Sequence, residues 1–344
     1  MMVKAAEPSH QHIVSKVDLP NRHGWGRMPA MANSRVLQET AVRYFLEVVR
    51  SGSISKAAEK LSVASSAVSR QIARLEEELG TPLFDRHARG TVPNAAGELL
   101  ASYALRMQLE TERIGNELLA LKGLRRGEVK IACNSGFAVH FVPTLVESFR
   151  RQHTGIHFGL SVGPSSEVAN RLLSGEADIG LLFTLSATRG VKVHYAQRAP
   201  IYAVMKPSHP LATSEQVTLS DMAAYPLAMS AKKIAMRQLI DACCARKQLV
   251  IDPVFTSDSL EATISFVLAE GGIAFSAELP VRHLLKEGRL KAIPLRERDL
   301  ASFQLEVQTL AGRILPRAVQ SFLDTLVAAI PGQPADAEAG SHLA

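Results

Sequence analysis

Two hydrophobic rhythms divide this chain. From Val36, apolar residues recur at helical spacing (Val36, Ala41, Tyr44, Phe45, Val48) and predict a first helix. Ser51-Gly52-Ser53 breaks it, and Ser53 offers an N-cap for a second helix. That short helix is expected over Ser55–Leu61, a tight turn over Ser62-Val63-Ala64, and a longer helix over Ser65–Leu79 that Gly80 ends. Leu83-Phe84 and Thr91-Val92 flank a basic stretch and predict two short strands joined by a charged tip. Asn94 then caps a long helix reaching about Lys122. Leu100, Ala104, Met107, Ile114, Leu118 and Leu121 step along it by fours and threes, with Thr111 as a polar interruption. So long a helix buries little against a small domain, and pairing with a second copy is the economical expectation.

Beyond Arg125-Arg126-Gly127, a plausible hinge, short apolar runs alternate with helical stretches. Val129–Ala132, His157–Val162, Ile179–Phe183, Ile201–Met205, Leu227–Ser230 and Ile273–Phe275 read as strands. Phe141–Gln152, Glu167–Ser174, Ile234–Lys247, Ser259–Glu270, Val281–Glu287 and Pro316–Ile330 read as helices. This alternation predicts an α/β domain with mainly parallel sheets, long enough for two doubly wound lobes. Residues 1–33 are polar with scattered His and Pro, and read as a disordered or mis-called extension. Residues 331–344 read as a disordered tail.

A chain of 344 residues exceeds one ordinary core. A hydrophobic content of 47% argues against wholesale disorder. No apolar run reaches the ~18 residues needed to span a bilayer, and residues 1–33 hold no export-type apolar segment. The net charge of +6 favours polyanions only weakly, so the placement of the basic residues matters more. Cys133, Cys243 and Cys244 are odd in number and lack metal spacing; they read as buried thiols in a reducing compartment.

The helix from Ser65 carries the sharpest chemistry. Val68, Ile72, Leu75 and Leu79 share one face, which must be buried. Ser65, Ser66, Ser69, Arg70 and Arg74 occupy the other. Hydroxyls and arginines at a helix N-terminus suit a DNA major groove, where a guanidinium forks onto guanine edges or phosphates. Glu76-Glu77-Glu78 should point away from DNA. The bland alternative, a three-helix unit with a solvated polar face, is weakened by the basic tip at Arg86, His87 and Arg89, which can lie on the backbone or in the minor groove.

Gly52-Ser53-Ile54-Ser55-Lys56-Ala57-Ala58, Ala67-Val68-Ser69-Arg70-Gln71-Ile72, Leu75-Glu76-Glu77-Glu78-Leu79-Gly80, Leu83-Phe84-Asp85-Arg86 and Ala96-Gly97 together resemble the N-terminal signature of LysR-type transcriptional regulators. Looser echoes occur at Gly175-Glu176-Ala177-Asp178-Ile179-Gly180, Pro207-Ser208-His209-Pro210-Leu211-Ala212 and Gly271-Gly272-Ile273-Ala274. Ala64-Ser65-Ser66 departs from the family's usual Ser-Gln-Pro, and Pro93-Asn94 from its usual Leu-Thr. The resemblance implies an α plus α/β architecture: a winged helix-turn-helix over 34–93, a dimerising linker helix over 94–124, and a two-lobed α/β domain over 127–330 like a type 2 periplasmic binding protein. Lobe one would span 127–197 and 273–330, and lobe two 198–272. The resemblance further implies a cytoplasmic regulator acting on double-stranded DNA, responding to a small-molecule effector, assembled as a homotetramer (a dimer of dimers), and contacting RNA polymerase.

The effector would sit at the carboxyl ends of strands, where helix N-termini point inward. Asn134, Ser135, Ser166, Thr184, Ser230, Thr256 and Ser276 hold such places, with Ser135, Thr184 and Ser230 foremost. Hydroxyls beside free backbone N–H groups favour an anionic effector, although plain N-capping also explains a serine at a helix start. His140, Arg198, Lys232 and Lys233 could reach a carboxylate, but read first as solvated groups. No nucleophile motif, phosphate loop or metal spacing appears, so neither an enzyme, nor a cofactor, nor a metal is expected. The alternatives are a hydrolase without a motif, a solute-binding protein, which the helix-turn-helix disfavours, and an architectural DNA binder, which the length disfavours.

Overall fold

A computed structural model of the chain describes residues 40–87, 90–121 and 127–330. The expectations for residues 1–33 and 331–344, for Arg125 and Arg126 of the hinge, and for Arg89 of the wing lie outside them. The chain divides into two units, residues 1–98 and 99–344.

In the first unit, α1 (Thr40–Ser51), α2 (Ile54–Leu61) and α3 (Ser65–Leu79) are followed by β1 (Phe84–His87) and β2 (Gly90–Pro93), an antiparallel pair in register from Phe84 opposite Pro93. Phe45, Val48, Ala57, Val68, Leu75 and Leu83 are fully buried. Ala57 and Ala58 lack bulk, which lets α2 sit close against its neighbours. Phe45 packs on Phe84 with ring centroids 5.1 Å apart. The turn into α3 depends on Ser62, held in the left-handed region at φ 55°, a conformation that costs any residue with a Cβ. Ser53 sits at the N-cap of α2 as expected, but its hydroxyl makes no capping bond. Gly80 ends α3 at φ 66°, and the Glu76 carboxylate accepts the Leu83 N–H at 2.7 Å, fixing the exit toward the wing.

The long helix α4 covers Ala95–Leu121. Asn94 caps it: its Oδ1 accepts the Gly97 N–H at 3.0 Å while its Nδ2 donates to the Pro82 carbonyl at 2.9 Å. A Cβ on Gly97 would fall 2.1 Å from the Leu83 carbonyl oxygen, so only glycine fits there. The expected apolar seam is split by its surroundings. Leu100 and Ala104 are buried, whereas Met107, Ile114 and Leu118 are 40%, 42% and 56% exposed. Leu105 and Leu109, outside the seam, are buried and lie against Gly175.

The rest of the second unit begins with β3 (Gly127–Cys133), α5 (Ser135–Ala138), α6 (Phe141–Gln152), β4 (Ile156–Val162), α7 (Ser165–Leu173), β5 (Ile179–Thr184) and β6 (Val191–Arg198). It crosses into β7 (Tyr202–Met205), α8 (Leu219–Met222), β8 (Ala228–Ser230), α9 (Ala235–Arg246), β9 (Phe255–Ser257), α10 (Leu260–Glu270), β10 (Ala274–Ser276), α11 (Glu278–Lys286) and β11 (Lys291–Pro294). It returns through β12 (Gln304–Leu310) to α12 (Arg317–Ala329). The first lobe is a five-stranded sheet ordered β4-β3-β5-β12-β6, and the second combines a β10-β7-β11 sheet with a β8-β9 pair.

Two expectations need correction. The sheets are mixed rather than mainly parallel: β12 runs antiparallel to both β5 and β6, and β7 antiparallel to β10 and β11. The second lobe also does not end at residue 272. Both β10 and β11 pair with β7, so the return crossover comes only after β11, in the stretch that reaches Phe303. The outgoing and returning crossovers are joined directly by the Ala199 N–H donating to the Phe303 carbonyl at 2.8 Å.

The looser sequence echoes have physical causes in this frame. Asp178, almost fully buried, accepts the Lys130 N–H at 2.7 Å and pairs with Arg313 at 2.6 Å, tying β3 to the segment after β12. A Cβ on Gly180 would meet Leu172 at 2.7 Å. The buried His209 caps the turn at Pro210 by accepting the Leu211 N–H through Nδ1 at 3.2 Å. Burial lowers the pKa of His209, which keeps that nitrogen an acceptor. Gly271 ends α10 at φ 81°, and a Cβ on Gly272 would approach the Pro226 carbonyl to 2.4 Å.

Candidate DNA-reading face and interlobe cleft

On α3 the helical period separates two chemistries cleanly. Val68, Ile72 and Leu75 face the core, and Leu79 is half-buried at the end of the helix. Ser65, Ser66, Ser69, Arg70 and Arg74 are all exposed. Ala64 holds the N-cap without a capping side chain, so the first-turn N–H groups keep their partial positive charge beside the two leading serines. Arg74 pairs with Glu78 at 2.6 Å one turn on. An exposed pair of this kind is worth only about 0.3–0.5 kcal/mol, so a phosphate competes with it easily. Arg86 lies on β1, and the wing is tethered to the rest of the unit by the Thr91 N–H donating to the Gly52 carbonyl at 3.2 Å.

In the second unit, the carboxyl ends of strands surround a cavity of about 500 Å³ between the lobes. Asn134 organises the first-lobe wall. Its Nδ2 donates to the Gly163 carbonyl at 3.0 Å, and its Oδ1 accepts the Phe183 N–H at 2.7 Å. Ser165 completes this staple by donating to the Phe183 carbonyl at 2.6 Å. Ser135 bridges the lobes, accepting the Leu260 N–H at 3.2 Å from the start of α10. The opposite wall is built from Ser230, from residues 233–236 at the start of α9, and from residues 258–261. Ser276 and Phe303 also line the cavity, and Phe303 stacks on Phe183 at 4.9 Å.

Besides the four-residue α5, helices that start at this cavity without a side-chain cap include α7, where Pro164 holds the N-cap, and α9, where Ile234 does. Each leaves first-turn N–H donors for another acceptor. By contrast, α10, which also starts there, is capped by Ser259. Lys233 lines the cavity and pairs with Asp258 at 3.1 Å; Glu167 and Glu261 also line it. Beneath it, burial pushes the Cys133 thiol up to about 12, leaving it protonated and unreactive at neutral pH.

Of the seven residues expected to meet an effector, Asn134, Ser135, Ser230 and Ser276 line this cavity. Ser166, Thr184 and Thr256 do not. Ser166 is exposed one position past Ser165, a rotation of about 100° on a helix that turns it off the wall. Thr184 is spent on a local turn, donating to the Ser186 carbonyl at 2.6 Å and accepting the Ser186 N–H. Thr256 is exposed in the middle of β9, while its neighbour Ser257 accepts the Ser259 N–H at 3.1 Å. The carboxylates Glu167, Asp258 and Glu261 were not anticipated. Their only sequence signal is their position within three residues of a helix start. Of the four ambiguous cations, Lys233 lines the cavity, His140 stacks on His283 at 4.0 Å, and Arg198 and Lys232 are exposed.

A winged helix-turn-helix joined to a two-lobed ligand-binding domain defines the class of ligand-responsive DNA-binding regulators. The comparisons with known proteins agree. The family model for the bacterial regulatory helix-turn-helix protein of the lysR family matches residues 40–98, and that for the LysR substrate binding domain matches residues 122–331. This chain therefore belongs to the LysR family of transcriptional regulators. An uncharacterized HTH-type transcriptional regulator, YybE of Bacillus subtilis (strain 168), is 29% identical over 238 residues, covering 69% of this chain and 82% of the relative. The RuBisCO operon transcriptional regulator of Acidithiobacillus ferrooxidans is 26% identical over 302 residues, covering 88% and 96%. Among solved structures, a full-length OxyR variant from Pseudomonas aeruginosa superposes with a TM-score of 0.58 at 18% identity, covering 83% of this chain and 93% of the other. That likeness bears on the fold alone. No helix among the described residues is long and apolar enough to cross a membrane, and no group of three or more metal-ligating side chains gathers among them.

Proposed function

We propose that this regulator reads duplex DNA with Ser65, Ser66, Ser69, Arg70 and Arg74 in the major groove and with Arg86 and Arg89 of the wing on the backbone. It responds to a carboxylate-bearing effector held between the lobes in the cavity that Asn134, Ser135, Ser230 and Ser276 line. The reading rests on one observation above all. The interlobe cavity is flanked by two helix starts, α7 and α9, that have no side-chain cap. An effector carboxylate would supply the missing acceptor, with Ser230 and Lys233 beside it.

Two copies pair through α4, whose Met107, Ile114 and Leu118 stay exposed at heptad-like spacing. Two such dimers associate into a tetramer that spans an interrupted inverted repeat. Effector binding changes the angle between the lobes, and with it the separation of the DNA-reading heads and the access of RNA polymerase. It can do so only through its differential affinity for the two lobe arrangements. The protein acts in the cytoplasm and catalyses no reaction. DNase I footprinting of the region upstream of its own gene, with and without added carboxylic acids, tests the switch: the protected length should change with effector. Identical footprints across compounds that demonstrably bind would contradict it.

A further inference from the structure

The interlobe cavity has a charge balance that a simple anion does not explain. Three carboxylates line it, those of Glu167, Asp258 and Glu261, against one cation, Lys233. Asp258 already meets Lys233 at 3.1 Å. Glu167 gives Oε1 to Arg171 at 2.7 Å, while its Oε2 lies over the Gly163 loop, where a Cβ would approach it to 2.8 Å. Glu261 accepts the Ser259 hydroxyl at Oε2, 2.9 Å away. Lys233 thus neutralises Asp258, Arg171 from outside the lining neutralises Glu167 through Oε1, and Glu261 is the lining carboxylate left without a basic partner among the described residues. A second negative charge on the ligand would be repelled there, whereas an ammonium group would be attracted.

We infer that the effector is a zwitterion of the α-amino-acid type, its carboxylate at the uncapped start of α9 and its ammonium group facing Glu261 and Glu167. This refines the carboxylate reading above and depends on it. Asn134 and most of the lining serines are bonded within the protein. The rest of the lining is largely hydrocarbon and aromatic, with Val162, Phe183, Ile234, Met236, Leu260 and Phe303 foremost, so the side chain is apolar. Glu261 and Glu167 are then the residues that set specificity. They separate an amino acid from the corresponding plain acid, much as a site built for a polar group rejects an analogue lacking it.

The test is calorimetric titration of the full chain with the standard amino acids, with the plain carboxylic acid and the amine matching each apolar one, and with succinate. An apolar amino acid should bind, with its plain acid and its amine each weaker by about tenfold or more. Glu261→Gln, and independently Glu167→Gln, should weaken the amino acid several-fold while leaving the plain acid unchanged. Plain acids or succinate binding as tightly as the best amino acid would overturn the zwitterion and leave the carboxylate reading standing. No heat with any of these compounds would overturn both.

Discussion

The head and the sensor domain handle polar side chains in opposite ways. On α3, serines and arginines project from one helical face with little local purpose: Arg74 meets an exposed partner one turn away, and no serine side chain caps the helix. Around the cleft, nearly every hydroxyl is already engaged. Asn134 and Ser165 staple three segments, Ser135 bridges the lobes, and Ser276 donates to the Ala277 carbonyl at 2.8 Å. The first surface is made to meet something large from outside. The second is a preorganised cage whose few unsatisfied groups, helix-start amides and the unpaired Glu261 carboxylate, are the ones that select a ligand. A polar residue at a helix start is therefore a poor guide to binding until its existing partner is known.

The largest expected effect lies in the sensor's framework. Asp178→Ala strands the buried Arg313 guanidinium and should destabilise the second unit by about 3–5 kcal/mol. Thermal denaturation should show an early transition for that unit while the helical signal of the head persists. A single unchanged transition would mean that the pair at 2.6 Å contributes little.

Much of the head was legible in the sequence because its determinants are local. A period of 3.6 gives α3, Gly80 stops it, and Asn94 caps α4. The lobes were read less well because their determinants are distant. Gln304, Glu306 and Gln308 look like a solvent-facing series, yet the buried Gln308 amide donates to Glu306 at 2.6 Å inside the sheet. The strand by which the chain re-enters the first lobe, β12, therefore escaped notice. The boundary at residue 272 failed for the same reason, since nothing near Ile273 announces that β10 and β11 both return to β7. The cleft carboxylates were invisible because two segments far apart in sequence, α7 and the start of α10, deliver them to one cavity.

A smaller effect concerns pH. His140 of the first lobe and His283 of the second stack in parallel planes, 4.0 Å apart. Burial, and then the neighbouring His140, lower the pKa of His283, with Arg289 acting in the same direction and Glu287 against it. Burial, and then Lys192, lower that of His194 as well. A histidine held neutral stabilises the fold above its ordinary value near 6.5, and that contribution is lost as pH falls from there through the depressed value. The melting temperature should therefore decline as pH drops from about 7.5 toward about 5.5, and His283→Asn should flatten part of the decline. A pH profile unaffected by that substitution would remove the stacked pair from the explanation.

The smallest effect returns to the head. Ser62 holds a left-handed backbone at φ 55°, and Ser62→Gly should stabilise the head by about 0.5–1 kcal/mol, the relief of a Cβ in that region less the added chain entropy of glycine. A loss of stability on that substitution would show that the serine side chain contributes more than its backbone strain costs.

The measurement closest to the centre of the account is a fluorescence-anisotropy titration of the intact protein against duplex DNA from upstream of its gene, for the natural sequence and for Arg70→Ala. The account expects tight, salt-dependent binding that Arg70→Ala weakens by about 1–3 kcal/mol, with the fold and the effector affinity intact. Equal affinity of the two proteins for that DNA, or no binding by either at low ionic strength, would contradict it.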